Sequence, residues 1–475
     1  MAAIPNDVFF ATVTELNTRL KAKEFKAEDL ARAFAERLAQ LGPRYNALAL
    51  PLVQEARRKA KAVDHDFKID RLRGPLQGIP YGAKDLLAYQ GQPTTWGAKP
   101  YAGQVFNYNA TVIDKLDTVG AVLTGKLAMV ELAGGGGYRF ASASLTGPGL
   151  NPWDRTRWSG GSSSGPAAAV AAGLVTFALG SETSGSIVTP ASYCGVTGLR
   201  PTYGLVSRHG AMALSWTLDK IGPLAHTADD CGHILQAIAG SDSKDPGSAG
   251  TSFYNAPYAR PLKELKVGYA AVDFADRAEE SARAPFQAAL AAIKETGVTL
   301  VETKLPSFPY GPILSTVLAA EQASSFEQLI ASGQVDQLAD AAQIAGLKAS
   351  LELPARDYLK AMRLRRLIQE EFRKLFTQVD ALLAPGRPGP ATKIDQPLDR
   401  GGFQPPAGTP PGLQGIIPAG NLAGLPALVL PCGFADNLPV AFQLVGAPFS
   451  ENLLLAIGRE FQSHTDWHKK HPPET

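Results

Sequence analysis

Cysteine is scarce in this chain of 475 residues: there are three, Cys194, Cys231 and Cys432, odd in number and far apart. That excludes a disulfide framework and fits reduced thiols in a reducing compartment. Charge of one sign is missing as well, since 46 basic residues are mixed with 44 acidic ones. A formal charge of +2 demands neither nucleic acid nor an anionic membrane as a partner. The opening "MAAIPNDVFFATVTELN" has no charged region followed by an apolar stretch and a small-residue cleavage site. No secretory signal is expected there, a cytoplasmic location is, and Asn109-Ala110-Thr111 reads as a chance sequon. Long hydrophobic runs are absent too. The longest uncharged stretch, between Arg157 and Glu182, holds Gly160-Gly161, a serine triplet, Pro166 and alanines in place of lipid-facing leucines, which excludes a membrane span. What remains is 45% hydrophobic and 19% charged, the composition of a globular protein with a substantial core.

Organisation follows from the spacing of apolar residues. From Thr12 to Gly42, apolar and charged residues alternate at helical spacing, with Leu30, Phe34 and Leu38 on one face, and two amphipathic helices are predicted. Between Gly74 and about Gly210 glycine is dense, charge thins, and short apolar runs such as "GAVLTG" and "GLVTFALG" sit between loops. Buried strands with alanine-rich helices, as at Pro166 to Ala172, predict a sheet covered by helices on both faces, and this region is the expected catalytic core. Strands are predicted at "LKVGYAAV", "VTLVETKLP", "PALVLPCG" and "PVAFQLVG", and helices over "EESARAPFQAALAAIKETG", within Ile313 to Phe376, and at Glu451 to Gln462. Pro385 to Pro418 is a Pro/Gly-rich segment too long for an ordinary connection, expected to border a substrate entrance.

Several motif matches have plainer readings. "GAVLTGK" at Gly120 to Lys126 has P-loop spacing, but Leu127 replaces the hydroxyl residue that would hold magnesium. His226, Asp229, Asp230, Cys231 and His233 resemble a metal site, yet Thr227-x-x-Asp230 before an apolar run reads as a helix cap. The other histidines read as surface residues, with His209 a weak candidate base. "GSSSG" at Gly161 to Gly165 fits the nucleophile elbow with Ser163, but no buried strand precedes it. Lys84, in "GIPYGAKDLL", has one charged neighbour, Asp85, and small or apolar residues before it. A lysine withdrawn from water serves as a neutral base near pH 7. The alternative is a lysine paired with a carboxylate at the start of a helix.

The stretches "GIPYGAKDLL", "GAVLTGKLAMVELA", "SGGSSSGPAAAVAAGL", "LGSETSGSIVTPASYCGVTGLRPTYGLVSRHG", "LDKIGPLAHTADDCGHILQAIAG" and "AGNLAGLPALVLPCGF" stand in one order over nearly the whole chain. In this the sequence resembles the amidase signature family of serine hydrolases. The resemblance implies a single α/β domain over residues 1–475, a large mixed twisted sheet sandwiched between helices, with 240–376 a mostly helical elaboration. It implies Ser186 as nucleophile, Ser162 as the bridging serine after a cis peptide bond, and Lys84 as base. The backbone N–H groups of Thr183, Ser184, Gly185 and Ser186 match the oxyanion hole. Ser163 and Ser164 are expected to hydrogen-bond locally, and Ser159 and Ser181 to satisfy loop backbone.

The chain departs from the family pattern around the nucleophile. Glu182 stands for an aspartate, Ser184 occupies a habitual glycine position, and Val188 replaces an arginine with no cation at Thr189. Serine at a site of positive φ would be strained, and the substitutions at 182 and 188 imply a rewired ion pair. Missing a cation for a substrate carboxylate, the site is expected to prefer a neutral or apolar acyl group. The implied activity is amide hydrolysis, with esters or carbamates as further substrates, no metal and no organic cofactor. The implied partner is a small-molecule amide, without nucleic acid or membrane, and a homodimer is the family expectation. The alternative is the glutaminase-type subunit of a tRNA-dependent amidotransferase, which "GVTGLRPTYGLVSRHG" resembles closely.

Overall fold

Short buried runs bounded by glycine build the centre of the molecule. In the computed structural model, which describes residues 4–398 and 403–473, thirteen strands form. They are β1 (Leu48–Pro51), β2 (Pro80–Lys84), β3 (Val122–Leu127), β4 (Leu150–Asn151), β5 (Asp154–Trp158), β6 (Phe177–Glu182), β7 (Thr197–Arg200), β8 (Lys220–Ala225), β9 (Lys266–Tyr269), β10 (Thr299–Glu302), β11 (Ala381–Pro385), β12 (Ala427–Ala435) and β13 (Leu438–Gly446). Eleven make one mixed sheet in the order β1-β3-β2-β6-β8-β7-β12-β13-β11-β9-β10, and β4 pairs with β5 in a small ribbon. Helices flank this sheet, as the apolar spacing predicts. Strands β2, β3, β6 and β8 are buried along their whole length, which explains why they read as continuous apolar or small-residue runs without alternation.

The two N-terminal helices are Val13–Lys21 and Ala27–Leu41. The first carries a capping box in which Thr12 accepts from the Glu15 N–H and the Glu15 carboxylate accepts from that of Thr12. Leu30, Phe34 and Leu38 of the second are all fully buried. The segment 240–376 holds four longer helices, Glu280–Glu295, Tyr310–Ser325, Ala341–Ser350 and Ala355–Leu375, and also β9 and β10, which extend the main sheet beyond β11. The Pro/Gly segment after Pro385 is held against the body at several points, Ala391 and Leu413 being buried and Ile394 and Leu398 donating to the Thr156 and Arg139 carbonyls; positions 399–402 within it lie outside the described residues. Among the described residues no helix is long and apolar enough to cross a membrane, and the three cysteines are buried and unbridged.

Candidate active site

Strands β2 and β6 run parallel, with Ala83 opposite Leu179, so both bring their C-terminal ends to the same edge of the sheet. Lys84 is the last residue of β2, and Glu182 the last of β6. Lys84 is therefore not at a helix start. The Lys84 Nζ lies 2.7 Å from Ser162 Oγ, 2.9 Å from Ser181 Oγ and 3.0 Å from Ser163 Oγ, and its side chain is fully buried. The nearest carboxylate in sequence, Asp85, is instead bonded to Lys126 at 2.7 Å inside the same core. That pair, supported by Thr94 Oγ1 at 2.9 Å from the Lys126 ammonium, is what the P-loop lookalike builds. Left with hydroxyls alone, the Lys84 ammonium is pushed down to about 7 by burial, against the weaker pull of Asp219 and Glu182.

Ser162 follows a cis peptide bond from Gly161. The turn into it requires glycine at position 160, where φ is +85° and a Cβ would lie 2.6 Å from the Pro190 Cα. Ser163 caps the helix Ser164–Ala171 by position, and its hydroxyl donates to the Ser181 carbonyl at 3.1 Å. The strand before it, β5, is a half-exposed ribbon strand rather than a buried one. Ser181, expected to serve only loop backbone, is a direct partner of Lys84, a correction that only the register of β6 against β2 reveals.

The loop Thr183–Ile187 leads from β6 into the helix Val188–Cys194. The N–H groups of Thr183, Ser184, Gly185 and Ser186 have no acceptor among the described residues. Positive φ falls on Gly185, at +81°, and not on Ser184. The expected strain at Ser184 therefore does not arise. Ser186 is 8% exposed, its carbonyl accepts from the Ser163 N–H at 3.3 Å, and its hydroxyl makes no hydrogen bond among the described residues. Lys84 bonds to Ser162, and among the described residues no hydrogen bond joins Ser162 to Ser186.

Glu182 braces this loop from below. Its Oε2 accepts from the N–H groups of Ile187 (2.8 Å) and Val188 (3.0 Å), and its Oε1 accepts from Arg200 Nη1 (2.7 Å) and Asn421 Nδ2 (2.8 Å). Burial pushes the carboxyl up, but Arg200 and Asn421 outweigh it and hold it at about 2. Arg200 and Asn421 are not legible in sequence: they stand 18 and 239 residues away from Glu182 and meet it only through the order of β6, β8 and β7. Thr183 donates to the buried carboxylate of Asp219 at 2.6 Å, a contact made across β6 and β8.

A cavity of about 160 Å³ opens beside Ser181 and Thr183. His209 lines it half-buried and stacks near Tyr108, at 5.7 Å between ring centroids, rather than lying on the surface. His226, Asp229, Asp230, Cys231 and His233 remain apart from this site. Thr227 accepts from the Asp230 N–H at 3.0 Å as the cap of the helix Ala228–Ile238, Asp230 Oδ1 holds the Val13 N–H at 2.9 Å, and His233 pairs with Asp229 at 3.2 Å.

The model of the family described as Amidase matches residues 29–455. The chain belongs to the amidase signature family. Curated amidase relatives include the glutamyl-tRNA(Gln) amidotransferase A-subunit of Synechococcus sp. (strain JA-2-3B'a(2-13)), 36% identical over 501 residues, covering 98% of this chain and 94% of the relative. The protein of the same name from Chloroflexus aggregans is 36% identical over 490 residues, covering 98% and 99%. Among solved amidase structures, the native peptide amidase from Stenotrophomonas maltophilia is 29% identical with a TM-score of 0.81, covering 96% of this chain and 97% of its own. The glutamyl-tRNA(Gln) amidotransferase A-subunit from Thermotoga maritima is 30% identical with a TM-score of 0.78, covering 97% and 96%.

Proposed function

We propose that this amidase hydrolyses a carbon–nitrogen amide bond through an acyl-enzyme on Ser186, with Ser162 and Lys84 as the proton path and no metal or organic cofactor. The observation that carries the reading is a buried lysine, pushed down to about 7, whose Nζ lies 2.7 Å from Ser162 Oγ. Neutral Lys84 takes a proton from Ser162, which takes one from Ser186 as that oxygen bonds to the substrate carbonyl carbon. That second transfer requires the two hydroxyls to come within hydrogen-bond reach. Negative charge on the carbonyl oxygen then meets the free amides of Thr183 to Ser186, each contributing about 3 kcal/mol to lowering the barrier. The carbon–nitrogen bond breaks, the proton returns to the departing amine, and water cleaves the ester.

Two settings fit this chemistry. The curated relatives favour the glutaminase-type subunit of a tRNA-dependent amidotransferase. The absence of a cation at Val188 and Thr189 favours a free-standing amidase acting on a neutral or apolar acyl group, since glutamine brings charged α-groups that need countercharges. In either setting we take residues 1–475 as one domain in the cytoplasm, elaborated over 240–376, with homodimer formation as the working expectation for the free-standing form. The test is hydrolysis of a panel of neutral amides by the purified chain alone, beside Ser186→Ala and Lys84→Ala. Turnover by the unsubstituted chain, lost by several orders of magnitude in both folded variants, supports the free-standing reading. An inert chain that releases ammonia from glutamine only with partner subunits present supports the other.

A further inference from the structure

We propose that Trp216 sets the length limit of the acyl group, separating the cavity beside the serine loop from an outer groove that longer chains would otherwise enter. The proposal rests on the serine hydrolase reading above and narrows its substrate class to short apolar acyl groups. Trp216 is the residue the two spaces share. It lines the cavity of about 160 Å³ that reaches Ser181 and Thr183, and it also lines a groove of about 640 Å³.

Both spaces suit apolar occupants. The cavity is walled by Leu86, Ala133, Met212, Leu214 and Ile221; of its charged members Asp219, Arg208, Asp245 and Lys220 are engaged within the protein, while Lys244 is exposed. Asp219 accepts from the Thr183 hydroxyl and from the Leu214 and Ser215 N–H groups at 2.8 and 2.9 Å. Arg208 is paired in fork fashion with Asp245 at 2.7 and 3.0 Å, and the Lys220 ammonium donates to the Leu218 carbonyl. The groove is lined by Ala320, Ala323, Leu351, Leu353 and Tyr358, with Leu351 itself 51% exposed.

The backbone of Trp216 is fixed although the residue is 54% exposed. Its carbonyl accepts from Tyr203 Oη at 3.0 Å and from Arg208. The neighbours on either side, Ser215 and Thr217, are tied to the buried carboxylate of Glu321 at 2.5 and 2.7 Å. Arg208 stacks between the rings of Tyr203 and Trp216, at 4.9 and 5.3 Å from their centroids. A large side chain on an anchored backbone, in contact with two spaces, is a partition. No buried packing explains a tryptophan so exposed.

The experiment titrates linear carboxamides, from acetamide to octanamide, into the full chain carrying Ser186→Ala, with and without Trp216→Ala or Trp216→Phe, by calorimetry. With Trp216 present, affinity should rise about fourfold per methylene buried and then stop rising once the chain fills the cavity. In the Trp216→Ala background the rise should continue, so that octanamide binds at least tenfold tighter while acetamide changes less than twofold. Trp216→Phe should keep the length limit. Parallel length profiles in all backgrounds, equal weakening at every length, or no binding of any amide would each overturn the proposal. Failure of the unsubstituted chain to hydrolyse these amides would instead count against the free-standing amidase reading, and the binding profiles, taken without Ser186, would still decide Trp216.

Discussion

Lys84 is neutral above about pH 7 because its ammonium is buried among hydroxyls with no carboxylate in contact. Under the proposed role as base, which needs the neutral amine, kcat/KM should rise from pH 6 to pH 8 with an inflection near 7, and Lys84→Met should remove both the inflection and several orders of magnitude of rate. Stability responds in the same direction. The folded pKa lies below the ordinary 10.5, so between about pH 7 and 10.5 the unfolded chain binds more protons and the native state gains stability as pH rises. Urea midpoints of wild type and Lys84→Met across that window should converge at high pH by the amount lost at neutral pH. Glu182 has the same sign in a lower window: held at about 2 against an ordinary 4.5, it contributes stability that is full above pH 4.5 and is lost as pH falls toward 2. Glu182→Ala leaves Arg200 buried without its countercharge and should cost about 3–5 kcal/mol in denaturant unfolding.

At the scale of elements, the helix Ala228–Ile238 separates a cap from a metal site. Thr227→Ala should lower stability by about 1 kcal/mol and leave amide turnover unchanged, since the cap lies apart from Lys84 and Ser186. A loss of turnover without a loss of stability would return the His226 to His233 cluster to consideration. The turn into Ser162 behaves differently. Gly160→Ala places a Cβ against the Pro190 backbone at a positive φ, and neither side can yield. Turnover should fall by orders of magnitude, more than the change in melting temperature accounts for. Helices and strands with clear periodicity are readable in the sequence, including the two helices at the N-terminus and the closing helix Glu451–His464. The placement of Lys84 at a strand end is not, because "PYGAK" has neither alternation nor helical spacing; a fully buried parallel strand lacks both.

For the whole molecule, the sheet order is what makes a site from distant segments. Lys84, Ser162 and Ser181 span about a hundred positions of sequence and meet where β2 and β6 end together. Arg200 and Asn421 then brace the same loop from β7 and from the helix Ile416–Ala423. The assay of the isolated chain against neutral amides belongs to this scale, because it asks whether one chain is sufficient. Turnover without a partner is the expected outcome if the missing cation at Val188 and Thr189 governs substrate choice. Dependence on added subunits would show that the likeness to the amidotransferase subunits extends to assembly.

By itself the sequence determined the class of fold and the lack of a disulfide framework, since motif order and apolar spacing are local properties, and its family resemblance offered three positions for chemistry. It could not determine which hydroxyls face Lys84, which cation answers Glu182, or where positive φ falls in the Thr183–Ser186 loop. Those depend on strand register and on side chains brought together from far along the chain. Only the tertiary structure decides them, because burial and charge pairing are properties of neighbours in space.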